Sequence, residues 1–163
     1  MNQHKIFYYL FLLLLLAGCD EKKEQGMDIN DLKLNQIQVI GSHNSYRTHP
    51  TVEMLNLMMG INPELAVALD YDHPSFEVQF SQYGIRQIEI DVYYDPEGGL
   101  FYYQRGNLFI GLPIASGIEE LMDPGLKVLH FPDIDYRTHY ITFVDALNAV
   151  KTWSDANPNH IPI

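Results

Sequence analysis

The sequence predicts an α/β fold in which helices join parallel strands. Three observations carry the prediction. Short apolar or alternating runs recur as strands, segments of helical periodicity separate them, and polar residues gather where the strands end. The chain has 163 residues, 47% of them apolar and 12% aromatic, which suffices for a domain with a core. Its net charge of −11 excludes the basic footprint of a nucleic-acid binder and suits a cation partner.

Residues 1–18 read as a targeting segment. Lys5 supplies the positive start, and the apolar run 6–16 is too short to span a bilayer comfortably. It ends in Leu16-Ala17-Gly18-Cys19, which is similar to the bacterial lipoprotein cleavage box: small residues admit the peptidase and Cys19 receives the lipid. Cys19 is also the only cysteine, so the folded part has no disulfide framework and no thiolate metal site. Residues 19–33, opening on Asp20-Glu21-Lys22-Lys23-Glu24, form a lipidated, charged tether, and residues 34–163 form the domain. The expected location is the bacterial cell envelope, anchored by lipid outside the cytoplasm, on the periplasmic side or the cell surface.

The first strand is expected at 37–40, on Ile37, Val39 and Ile40, and it runs into a polar segment at Gly41. Residues 50–69 form a loop and helix whose methionines, Met54, Met58 and Met59, fill core. Ser75 suits a helix start, Phe76, Phe80 and Tyr83 share a face, and Gly84 suits the stop. The second strand, 85–93, alternates Ile88, Ile90 and Val92 with Gln87, Glu89, Asp91 and Tyr93. Asp95-Pro96-Glu97-Gly98-Gly99 is a turn, and 100–124 is an aromatic, glycine-punctuated excursion. A third strand is expected at 127–131, and a helix at 142–156 on Phe143, Val144, Leu147 and Val150. Ile161-Pro162-Ile163 looks like the start of a fourth strand.

The strand ends carry His43 and Asn44, then Glu89 and Asp91, then His130. Both closed barrels and open parallel sheets place their sites there, but no dinucleotide fingerprint or P-loop follows the first strand. Glu89 and Asp91 lie two apart on a strand and so share a face. Adjacent carboxylates repel, and a hard cation with oxygen ligands, calcium or magnesium, relieves this. A solvent-facing strand side accounts for the same two residues. Asn44 can add an amide oxygen. Two histidines, His43 and His130, are what acid/base cleavage of a phosphodiester needs. His49, His73, His139 and His160 are read as structural or surface. Asp133 and Asp135 can orient His130, pair with Arg137 or serve a turn. Arg47 and Arg86 are candidate phosphate contacts by charge.

Gly41-Ser42-His43-Asn44-Ser45-Tyr46, Gly84-Ile85-Arg86-Gln87-Ile88-Glu89-Ile90-Asp91-Val92-Tyr93 and Lys127-Val128-Leu129-His130-Phe131-Pro132-Asp133-Ile134-Asp135 together resemble the bacterial calcium-dependent phosphatidylinositol-specific phospholipase C family. The segment from Asp145 through Trp153 to Ala156 resembles its helix before the fourth strand. The resemblance implies a TIM-like (β/α) barrel, one Ca2+ held by Asn44, Glu89 and Asp91, and catalysis by His43 and His130. It implies cleavage of phosphatidylinositol-type lipids to diacylglycerol and a cyclic inositol phosphate. The family places a further acidic ligand at the end of the fourth strand, beyond Ile163. An eight-unit barrel needs about 250 residues, so the expected fold is roughly the first half of such a barrel, truncated. Two other readings stand beside it: a glycerophosphodiester-type phosphodiesterase on the same barrel, and a non-catalytic surface lipoprotein.

Overall fold

The structure, a computed structural model, describes residues 31–163. The expected targeting segment, Cys19 and most of the tether lie outside the described residues. The chain divides into two units, Met1–Gln38 and Val39–Ile163. In the first, Leu34–Gln36 form one 3-10 turn, and the Gln36 side chain accepts from the Lys33 backbone N–H at 3.0 Å.

The first strand, β1, covers Ile40–Ser42, two to three residues later than the apolar run suggests. Ile40 is exposed, so hydrophobicity does not set this strand. Its partner does: β1 pairs in parallel with β2, Ile85–Ile88, matching Ile40 to Ile85 and Ser42 to Ile88. Gly41 allows the approach, since a Cβ there would lie 3.1 Å from the Gln87 Cβ.

Helices α1, Val52–Ile61, and α2, Pro63–Leu69, follow β1. Thr51 caps the first through the Met54 N–H. Asn62 ends α1 in an extended conformation and caps α2 through the Leu65 N–H, with Pro63 at the first helical position, where no N–H is needed. Met54, Met58, Ala66 and Leu69 pack together between them, so two of the methionines fill core while Met59 is exposed. Helix α3, Phe76–Gln82, buries Phe76 and Phe80 but exposes Tyr83, and Gly84 ends it at φ +66°.

The long second strand expected at 85–93 is interrupted. Regular pairing stops at Ile88 and resumes in β3, Val92–Asp95, which leaves Glu89, Ile90 and Asp91 between two strands. Strand β3 pairs antiparallel with β4, Gly125–Val128, matching Val92 to Val128 and Asp95 to Gly125. The all-parallel expectation is therefore corrected. The excursion after β3 folds back through a short helix α4, Gly106–Phe109, and a 3-10 turn, Glu119–Met122, so that β4 returns beside β3. The Val128 N–H then donates to the Ile141 carbonyl at 2.9 Å, which leads into α5, Phe143–Ala156. Among the described residues the two sheets, β1–β2 and β3–β4, are each two-stranded and neither closes into a barrel. Residues 161–163 have no regular secondary structure, unlike the expected fourth strand.

The main core joins Phe76 and Phe80 of α3, Val128 of β4, Tyr46, Ile85, and Ala146 and Trp153 of α5. The Phe80 and Trp153 rings lie 5.1 Å apart. Helix α5 turns Ala146 and Trp153 inward, with Phe143 and Val150 partly covered, whereas Val144 and Leu147 are exposed. Thr142 starts it with a reciprocal box: its hydroxyl accepts from the Asp145 N–H, and the Asp145 carboxylate accepts from the Thr142 N–H, both at 3.1 Å. Thr142→Ala should cost about 1 kcal/mol, read as a lower urea midpoint at unchanged slope. An unchanged midpoint would mean the box does not hold the helix.

Candidate active site

Beyond β1 the chain turns sharply at Asn44, which is buried and adopts a left-handed φ of 51°. Asparagine tolerates that conformation better than most residues. Ser45 then takes over from the strand ladder. Its N–H donates to the Glu89 carbonyl at 3.0 Å, and its hydroxyl accepts from the Glu89 N–H at 2.9 Å. Ser42 and the buried Gln79 support it: the Ser42 hydroxyl donates to Gln79 Oε1 at 2.7 Å, and Gln79 Nε2 donates to the Ser45 carbonyl at 2.7 Å. The break in the second strand is thus where a serine replaces a strand partner.

This clamp brings the acidic segment onto the loop. The Asn44 N–H donates to Glu89 Oε2 at 2.7 Å, and the Tyr46 hydroxyl donates to Asp91 Oδ2 at 2.9 Å. The same hydroxyl lies 3.4 Å from Asn44 Oδ1. Burial first, then the hydrogen bond to Asp91, raises the Tyr46 pKa, so it stays a neutral donor. Glu89 and Asp91 therefore meet the Asn44 loop together, although not on the regular strand face the alternation suggests.

The other wall is the tight turn after β4. Phe131 and Asp135 exchange backbone hydrogen bonds of 3.0 and 2.9 Å across it, and Asp133 takes a left-handed φ of 74°. Segment 104–106 braces the turn: the Asp133 N–H donates to Gln104 Oε1 at 2.7 Å, and the Arg105 N–H donates to Asp133 Oδ1 at 2.6 Å. The turn sets Asp135 beside His130, with Oδ2 2.8 Å from Nδ1. The Tyr93 hydroxyl fixes the His130 carbonyl at 2.7 Å. The far ring nitrogen, Nε2, lies 3.3 Å from Asn44 Nδ2.

His43, Asn44 and His130 line one cleft of about 960 Å³. Most of its wall is apolar, with Leu65, Ala68 and Leu69 from α2 and Phe131 from the turn. His43 is exposed there, and His73 Nε2 meets its carbonyl at 2.9 Å, so His73 supports the loop from within the cleft. Tyr71 also lines the cleft, and its hydroxyl accepts from Asn44 Nδ2 at 3.0 Å.

The donor set suits a hard cation. Asn44 Oδ1 and Asp91 Oδ2 both approach the Tyr46 hydroxyl, and Glu89 Oε2 accepts from the Asn44 N–H, so one amide and two carboxylates, oxygen donors of the kind such an ion takes, meet around one loop. Among the described residues, no group of three or more His, Cys, Asp or Glu is arranged to hold a metal ion. The expected set is a different one, two carboxylates plus an amide.

The two arginines are not where a phosphate contact needs them. Arg47 has no exposed surface. Its Nε donates to Asp135 Oδ2 at 2.6 Å, and its terminal nitrogens donate to the Leu69 and Tyr71 carbonyls. Arg86 donates to the Phe80 and Ile85 carbonyls and lies over the Trp153 ring at 4.7 Å, tying α3 to β2 and α5. Neither guanidinium lines the cleft. Asp135 pairs with Arg47 and His130 in place of Arg137. Sequence reasoning missed Tyr46, Tyr71, Ser45 and Gln79. Only the neighbourhood of Tyr46 and Ser45 in the polar segment hinted at them.

The family model described as Ca2+-dependent phosphoinositide phospholipase C matches residues 32–163. Neither the curated proteins nor the solved structures give a match to the chain.

Gly106 tests the bracing of the turn. A Cβ there would fall 2.0 Å from the Asp133 carbonyl oxygen, which only a backbone shift can relieve. Gly106→Ala should destabilise the fold by about 1–3 kcal/mol, measured by thermal unfolding. Wild-type stability in the variant would contradict the close approach.

Proposed function

Because the chain belongs to the Ca2+-dependent phosphoinositide phospholipase C family, we propose that it cleaves phosphatidylinositol-type lipids into diacylglycerol and a cyclic inositol phosphate. The observation that carries this reading is that Asn44, which lines one apolar cleft together with His43 and His130, also meets Glu89 and Tyr46 behind the cleft wall. The oxygen donors and the two histidines serve the headgroup, and Leu65, Leu69 and Phe131 offer the apolar wall that acyl-bearing glycerol requires.

Asn44, Glu89 and Asp91 would hold Ca2+. When bound, the ion supplies positive charge against the phosphoryl oxygens and lowers the pKa of a nearby hydroxyl. One of the two carboxylates takes the proton of the inositol 2-hydroxyl, whose oxygen then bonds to phosphorus as the bond from phosphorus to the glycerol oxygen breaks. His130, reaching the cleft through Nε2, gives its proton to the departing glycerol oxygen. His43, exposed where it lines the cleft, donates to a non-bridging phosphoryl oxygen as charge develops there. Tyr46 remains a neutral hydroxyl and holds Asp91 in place.

The architecture of this reading is a part of a TIM-like barrel, with β1 and β2 as adjacent parallel staves. The leader and Cys19 support a lipid anchor in the bacterial cell envelope, outside the cytoplasm on the periplasmic side or the cell surface, which would keep the cleft near its substrate.

The test is turnover of phosphatidylinositol vesicles by the full chain. Activity should need calcium and vanish on chelation. His130→Ala and His43→Ala should each lower kcat by roughly 10²–10⁴-fold. Chelator-insensitive turnover, or faster turnover of the deacylated diester than of the lipid, would contradict the reading.

A further inference from the structure

We infer that Arg47 and Asp135 are positioning residues for His130, fixing its imidazole as the Nδ1–H tautomer with Nε2 presented to the cleft. The inference rests on the reading of His130 as the proton donor, and it concerns what makes that donor usable. A carboxylate only accepts hydrogen bonds, so the 2.8 Å contact to Asp135 Oδ2 requires a proton on Nδ1. The far side of the ring gives the same answer independently. The Asn44 amide nitrogen donates, and it sits 3.3 Å from Nε2, which in the neutral ring is then the acceptor. After the ring has given its Nε2 proton to a leaving oxygen, the tautomer that remains is the one both neighbours favour.

Arg47 fixes Asp135 in turn. Its Nε donates at 2.6 Å to the same Oδ2 that meets His130, while its other two nitrogens are held by the Leu69 and Tyr71 carbonyls at the end of α2. The guanidinium also lies 4.3 Å from the centre of the Tyr71 ring, and Tyr71 is the residue that accepts from Asn44 Nδ2. Buried on every side, Arg47 cannot swing out to a substrate. Its planar guanidinium holds one carboxylate oxygen through Nε and two carbonyls through its terminal nitrogens at once, a three-way arrangement that a lysine ammonium does not reproduce. Among the described residues, Asp135 Oδ1 is buried without a partner, and the directed contacts of this carboxylate fall on the oxygen that orients the ring. A pair serving only stability would have no need to concentrate them there.

The direct test is nitrogen-15 NMR of histidine-labelled full chain at a pH where the ring is neutral, with the His130 signal assigned by its loss in His130→Gln. The Nδ1–H pattern is expected, and the Nε2–H pattern in the wild-type chain would overturn the inference. In turnover, Asp135→Asn should lower kcat by roughly 10²–10⁴-fold with KM nearly unchanged and should shift His130 away from the Nδ1–H form. Arg47→Lys, which keeps the charge and loses the three-way arrangement, should fall between that variant and the wild type. A folded Asp135→Asn protein with wild-type kcat and tautomer would overturn it. An Nδ1–H ring in a wild-type chain that turns over no inositol lipid would uphold the pair and sink the catalytic reading instead.

Discussion

One carboxylate oxygen, Oδ2 of Asp135, meets both Arg47 from the loop after β1 and His130 at the end of the β4 segment. Arg47 extends the link to the carbonyls that close α2. Three parts of the chain distant in sequence thus converge on one buried point, and the cleft opens beside it. The interaction is poor evidence for net stability, because removing both charges from water offsets most of their attraction. What it sets is geometry. Breaking it from one side would strand a buried charge at a cost of about 3–5 kcal/mol, so the arrangement tolerates few alternatives.

From that point the remaining contacts follow in order. Asn44 sits between His130 and the acidic segment because Ser45 occupies the strand position opposite Glu89. Tyr46 then reaches Asp91, and its raised pKa keeps it a donor wherever the carboxylate is ionised. The histidine half and the oxygen-donor half of the site are adjacent because one asparagine belongs to both.

Much of the site was legible in the sequence, because polar residues ending apolar runs stand out. His43, Asn44 and His130 line one cleft, while Glu89 and Asp91 reach the Asn44 loop without lining it. The reason given for the carboxylates was only half right: they meet the loop through a break in the strand that period-two alternation cannot reveal. The extent of helix α5 was legible from the helical spacing of its apolar residues, but its buried face was not, since Ala146 and Trp153 are buried while Val144 and Leu147 are exposed. The start of β1 was misread because apolar Ile37 and Val39 lie before it, and pairing with β2 rather than hydrophobicity decides its register. The antiparallel β3–β4 pairing depends on how residues 96–124 fold back, a property spread over a long excursion. Arg47 and Arg86 looked like anion contacts because arginines usually meet solvent or phosphate. Their partners, Asp135 and the Phe80 and Ile85 carbonyls with the Trp153 ring, become visible only in three dimensions.

The account turns on the claim that the loop after β1 and the segment after β2 form one cation site beside His130. Calorimetric titration of the full chain with calcium tests it most directly. Saturable binding is predicted, with Asp91→Asn weakening it by at least the roughly 10–100-fold that loss of an outer-shell partner costs a metal site. Binding of equal strength in the wild type and in Asp91→Asn, or no calcium binding at all, would contradict it.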